Sequence, residues 1–282
     1  MISFPYITIT LLFVFHVFAE YHLSIALLSA PKKIPMLTFT IEYFLNAYNY
    51  NHEGIVIDGF FFGKGCECEH PEYDEVLKKL KQTDIPVFDV KMNKDILHEN
   101  SELRKRMYNY YSSLWNDNHR HFQDFIHHDH FVKNAIVTNF FQQIINEMEK
   151  TTPNYDYLLF LEDDVAFYKN FFVKLYKEMN KQYQNELLIK LAYIDYYKIP
   201  ETHWKLPRDG CPWGFWGMLY NKQQLRQWKV FGLYQTYSLT GDLYHCEMYK
   251  TYNQTIRMIE ISYHFGRDEY IRRRDQKFWN LK

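Results

Sequence analysis

Three consecutive carboxylates, Glu162, Asp163 and Asp164, close the apolar run "NYDYLLFLEDD" and precede the aromatic segment "VAFYKNFF". Adjacent like charges repel, and unpaired charge inside a strand covered on both sides is strongly disfavoured. The triplet therefore belongs at a strand end, on the rim of a sheet. There a hard divalent cation held by carboxylate oxygens could be shared among the acids and could in turn hold a pyrophosphate. The competing reading is a solvated strand end, or acids in the first turn of a helix that follows.

Other clusters offer less chemistry. Five histidines lie in "HRHFQDFIHHDH" (119–130), but their spacing matches no zinc ligand set, and a polar connection is the simpler reading. "GKGCE" lacks the third glycine and the Lys-Ser/Thr pair of a phosphate loop, so it reads as a turn. No Gly-x-Ser-x-Gly elbow is present, which argues against an α/β-hydrolase. The basic "YIRRRDQK" near the end could meet phosphates or lipid head groups, although a solvated helix face explains it equally. Against 34 acidic residues stand 33 basic ones, a net charge of −1 that provides no nucleic-acid footprint.

The elements that must position the triplet are legible as an alternation. "YHLSIALLSA" (21–30) is a β-rich run closed by Pro31, and "PMLTFTIEYFLNAY" follows with apolar residues at helical spacing. "GIVIDGFFFG" (54–63) is a second strand, and "PEYDEVLKKLKQT" a helix opened by Pro71 with acids first and bases last. "IPVFDVKM" makes a third strand, and residues 94–130 are polar without a clear pattern. "FVKNAIVTNFFQQIINEMEK" is a long amphipathic helix broken by "TTPNYDY" before the acidic strand. This alternation predicts an α/β fold with a mixed, mostly parallel sheet and helices on both faces. Ligands of such sheets bind beyond the carboxyl ends of the strands, the end at which the triplet lies.

The amino end, "MISFPYITITLLFVFHVFAEYH", holds an apolar core from Tyr6 to Phe18, the length of a signal-peptide core and short for a membrane span. Val17 and Ala19 form a small-x-small cleavage pattern, while the first five residues carry no positive charge, so an uncleaved anchor and a buried first strand stay open. Cys66, Cys68, Cys211 and Cys246 suit an oxidising compartment as two bridges of undetermined pairing, with a four-cysteine zinc site as the sharper alternative. Asn253 to Thr255 is a glycosylation acceptor if the chain enters the lumen. Residues 1–19 are read as a signal peptide or short anchor and 20–282 as one domain, in the secretory route.

"YDYLLFLEDDVAFYKNFF" resembles the metal-site segment of GT-A fold glycosyltransferases, in particular the group of post-GPI attachment to proteins factor 4 and, more distantly, the N-acetylglucosaminyltransferase IV group. "HLSIALLSAPKKIPML" is similar to that family's first strand and nucleotide-side turn, and "LLIKLAYIDYYKIP" to the strand after the acidic segment. "WGFWGMLY" is similar to an acceptor-side segment, and "GDLYHCEMYK" with "IEISYHFG" to the closing helix and strand. Between Ile199 and Trp213 this chain has only "PETHWKLPRDGCP", where the attachment factor group carries a hydrophobic membrane hairpin. The departure bears on the acceptor and on membrane attachment.

The resemblance implies a GT-A (Rossmann-like) fold and a UDP-sugar donor, an N-acetylhexosamine by preference. It implies transfer to a glycan or glycolipid such as a GPI mannose, with inversion. Asp164 would be the main metal ligand and His264 would complete its shell, a mixed carboxylate and imidazole set suited to Mn²⁺. Without the resemblance, His264 between Tyr263 and Phe265 reads as a packed strand residue. Glu162 or Asp163 would face the donor ribose and the metal's waters, and Ala30, Lys33 and Lys133 the rest of the nucleotide. Asp242 would be the general base, with Glu247 in reserve, although "TGDLY" also reads as a helix cap. Trp213 and Trp216 would stack on acceptor sugar rings, or else fill core. The alternative function is a secreted sugar-binding or structural protein on a catalytically decayed version of the fold.

Overall fold

The computed structural model describes residues 20–29, 35–65, 69–91, 140–141, 143–181, 186–190, 217–223, 225, 255–258 and 262–264. β1 (Tyr21–Ser29) leads into α1 (Met36–Tyr50), β2 (Ile55–Lys64), α2 (Pro71–Leu80) and β3 (Val87–Val90). α3 (140–141 and 143–151) precedes β4 (Tyr157–Glu162), the short β5 (Val165–Phe167) and α4 (Phe171–Met179). β6 (Glu186–Lys190), β7 (Met218–Asn221), β8 (Thr255–Met258) and β9 (Ser262–His264) complete the strands.

Seven strands form one sheet in the order β3-β2-β1-β4-β7-β6-β8, and β5 pairs with β9 beside it. β3, β2, β1 and β4 run parallel, β7 is antiparallel to both its neighbours, and β8 is parallel to β6. The fold is thus the expected α/β type, with a mixed and mostly parallel sheet. β1 is buried from Leu23 to Ser29, as a strand covered on both faces must be.

On one face, Leu23, Ile25, Leu27, Phe60, Phe62, Leu159 and Leu161 pack with Leu37, Ile41 and Phe44 of α1, Val76 and Leu80 of α2, and Phe171, Phe172 and Leu175 of α4. On the other, Phe160 meets Phe140 and Phe141 at ring separations of 6.1 and 5.2 Å, and Phe141 meets Tyr220 at 5.3 Å. Gly63 makes that second contact possible. A Cβ there would sit 1.8 Å from the Phe140 ring.

β2 changes phase midway. Its register against β1 passes from Leu23↔Ile57 to Ser24↔Gly59, leaving Asp58 as the extra residue of a bulge. The core side then shifts from Ile55 and Ile57 to Phe60 and Phe62, so the apolar face stays continuous across the irregularity.

Two local expectations are corrected. No helix begins at the acidic triplet: β5 follows it directly and α4 starts only at Phe171, because Val165, Ala166 and Phe167 are all buried and extend to pair with β9. "GKGCE" is not wholly a turn, since Gly63 and Lys64 pair with Leu28 and Ser29 as the last residues of β2. The leader, the four cysteines, Asn253 and the histidines of 119–130 lie outside the described residues. Among the described residues no helix is long and apolar enough to cross a membrane.

Candidate active site

The strand order reverses at β1: the chain passes from β1 to β2 on one side, while β4 lies on the other. In open α/β sheets ligands bind at such a reversal, outside the carboxyl ends of the strands. Leu28 pairs with Glu162 in the final rung between β1 and β4, so Ser29 and Asp163 flank this point from the two strands.

The three acids part company here. Asp163 is buried, 4% exposed, and accepts a 2.7 Å hydrogen bond from Ser29 Oγ, itself buried at the end of β1. Glu162 and Asp164 are half-buried, and the Oδ1 of Asp164 is shielded from water. An alternating backbone sends Leu159 and Leu161 toward α1 and Phe160 away from it, and the chain turns at Asp163 and Asp164 directly after the strand ends.

The β5–β9 pairing sets the backbone of His264 opposite Val165, the residue after Asp164. Residues about a hundred positions apart in sequence are thereby neighbours. Among the described residues, no three His, Cys, Asp or Glu side chains gather as a ready metal group. The oxygen donors of Glu162 and Asp164 suit a hard cation of the kind bound through one or two carboxylates and completed by ligand phosphates. Ala30, Lys33, Lys133, Trp213, Trp216, Asp242 and Glu247 lie outside the described residues.

Two residues that the sequence did not single out belong to this end of the sheet. His70, 6% exposed, precedes α2, and its Nε2 lies 2.8 Å from Ser29 Oγ. Burial lowers its pKa below the ordinary 6.5, more than neighbouring Glu72 and Asp163 raise it. Glu72 sends its Oε1 to Thr38, accepting from the backbone N–H at 3.0 Å and from Oγ1 at 2.6 Å. α1 has no acid in its own first turn, so this carboxylate from α2 serves its positive end. A serine ending an apolar strand and a histidine directly before the proline that opens a helix are the signals that were present; only the fold joins them.

No protein-family model matches the chain, and comparison with characterised protein sequences returns no match. Solved structures with a similar layout include mouse xyloside xylosyltransferase 1, with 12% identity, 89% of this chain and 99% of that one covered, and a TM-score of 0.46. Another is 4-diphosphocytidyl-2C-methyl-D-erythritol synthase from Anaerococcus prevotii, with 9% identity, coverage of 89% and 95%, and a TM-score of 0.44. A glycosyltransferase involved in glycosylation of the major capsid of PBCV-1 covers 88% and 96% at 12% identity, with a TM-score of 0.40.

Proposed function

We propose that this chain is a metal-dependent glycosyltransferase. It moves a sugar, by preference an N-acetylhexosamine, from a UDP-sugar to a glycan or glycolipid acceptor such as a GPI mannose, with inversion. The observation that carries the reading is the convergence of Glu162, Asp163 and Asp164 with the His264 backbone at the carboxyl ends of β1 and β4.

The start of α1 supports it from another direction. In dinucleotide-binding sheets the first helix receives pyrophosphate on its amino end. Here Glu72 already occupies the Thr38 donors, and a diphosphate would meet a like charge. A cation at the triplet would hold that diphosphate away from this carboxylate. Asp164 and His264 are its proposed ligands, and a bound Mn²⁺ would supply Lewis-acid stabilisation to the departing diphosphate. Glu162 or Asp163 faces the donor ribose and the metal's waters, with Ala30, Lys33 and Lys133 on the nucleotide side. Asp242 takes the acceptor proton, Glu247 stands in reserve, and Trp213 and Trp216 hold the acceptor sugar.

The compartment proposed is the lumen of the ER or Golgi, reached through the apolar leader as a cleaved signal or short anchor, in keeping with the sequon and four cysteines. The deciding experiment is a screen of the purified protein against UDP-sugars with Mn²⁺, reading free UDP. Release from one donor, abolished by chelation, is expected. Tight sugar binding with no UDP release from any donor would instead favour the decayed, sugar-binding alternative.

A further inference from the structure

Ser29 closes β1, His70 stands before α2 and Asp163 follows β4, three separate elements meeting at the point where the strand order reverses. Ser29 Oγ is 2.7 Å from Asp163 Oδ2 and 2.8 Å from His70 Nε2. An ionised carboxylate only accepts, so the serine proton points to Asp163. The serine oxygen must then accept from the ring, which puts the imidazole proton on Nε2. All three residues are at most 6% exposed. His70 Nδ1 is left as a buried lone pair without a hydrogen-bond partner among the described residues.

Such a directed chain of donors has one consequence for its last member. With Oδ2 of Asp163 fixed by a hydroxyl that is itself held from behind, the carboxylate plane can no longer rotate freely. The groups facing His70 are Glu72, Lys64 and Asp163, with the Tyr73 ring 5.8 Å away.

We propose that Ser29 and His70 are positioning residues: the imidazole orients the serine hydroxyl, and the hydroxyl aims the Asp163 carboxylate toward the ligand crevice. This rests on the nucleotide-sugar reading above for the identity of the ligand, though not for the existence of the chain. Partners that orient a site's ligating carboxylates and imidazoles change its affinity by about ten- to a hundredfold when removed.

The test has two arms on the full protein. In the first, ¹⁵N NMR of the histidine rings reads the His70 tautomer without any ligand. An Nε2–H ring in the native protein, shifted in Ser29→Ala, is expected, whereas an Nδ1–H ring overturns the chain. In the second, calorimetry reads UDP binding with Mn²⁺ in His70→Gln, His70→Phe and Ser29→Ala. Glutamine reproduces the Nε2 donor, so His70→Gln should bind within about threefold of the native protein, while the other two lose about ten- to a hundredfold. Equal binding in all three variants overturns the positioning role. Equal loss in His70→Gln and His70→Phe also overturns it, since the retained donor would then not matter. Absence of UDP binding in the native protein overturns the nucleotide-sugar reading instead, and the chain then stands or falls on the tautomer.

Discussion

Two histidines stand at opposite ends of the same neighbouring strands, and each is linked to an aspartate. At the amino end, His22 Nδ1 meets Asp58 Oδ1 directly at 2.8 Å, and the His22 backbone N–H donates to Asp156. The His22 side chain is 39% exposed. At the carboxyl end, His70 is sealed and a serine hydroxyl separates it from Asp163. The hydrogen bond to Asp58 raises the pKa of His22, whereas burial lowers that of His70. Directness and solvation, rather than residue pairing, decide the sign. The amino end is a surface pair beside a bulge, and the carboxyl end is a buried relay leading to the acidic end of β4.

If that division of labour holds, one substitution at each end should separate binding from folding. Asp164→Ala should abolish Mn²⁺-dependent UDP binding by calorimetry and leave the melting temperature nearly unchanged, because the residue lies past the end of β4. Asp58→Asn at the opposite end should leave binding intact. Unchanged UDP and Mn²⁺ affinity in the Asp164 variant would remove the metal assignment. A smaller effect is expected for Asp242→Asn, which keeps shape and capping ability but not basicity. Turnover should fall by roughly two to four powers of ten with donor affinity retained, the size of a general-base contribution. Near-normal turnover would make Asp242 a cap and promote Glu247.

The strand–helix alternation was readable because it rests on periodicity: β1, α1, β2 and α2 fall within a few residues of the apolar runs and of Pro71. The triplet was readable because three acids at the end of an apolar run are electrostatically expensive anywhere else. The relay was not, since Ser29 and His70 are 41 residues apart and ordinary in type, and only the crossover through β2 brings them together. Nor was the Glu72 contact to the start of α1, which depends on how two helices sit on one face. β5 was missed for a related reason: three residues carry no period, and its pairing with β9 is nearly a hundred residues away.

Packing near the carboxyl end should be less forgiving than near the amino end. Gly63→Ala would drive a Cβ to 1.8 Å from the Phe140 ring, so the ring or the backbone that carries it must shift, at a cost of about 1–3 kcal/mol. Denaturant melts should register that loss, and a milder UDP-binding defect should accompany it, because Gly63 lies one residue from the end of β2. A variant as stable as the native protein would mean that α3 is free to move, and that this face of the sheet does not hold the crevice rigid.

The smallest expected effect tests the comparison most directly, through the pH dependence of stability. For His22, the folded pKa lies above the unfolded value of about 6.5, so the folded state binds more protons between the two. Its stabilisation is complete below about 6.5 and is lost as pH rises through the folded pKa. Exposure and screening limit it to at most about 1 kcal/mol. For His70 the folded pKa lies below the unfolded one, so the unfolded state binds more protons in that window, and stability falls as pH drops from about 6.5 through the folded value. His22→Asn keeps a donor toward Asp58 and His70→Gln keeps one toward Ser29, so each removes titration with little change in shape. Denaturant midpoints between pH 5 and 8.5 should show His22→Asn losing stability relative to the native protein at the acid end only. His70→Gln should gain relative stability at that same end. Slopes of the same sign in both variants would mean that the two histidines share one environment, and the contrast between a solvated pair and a sealed relay would fail.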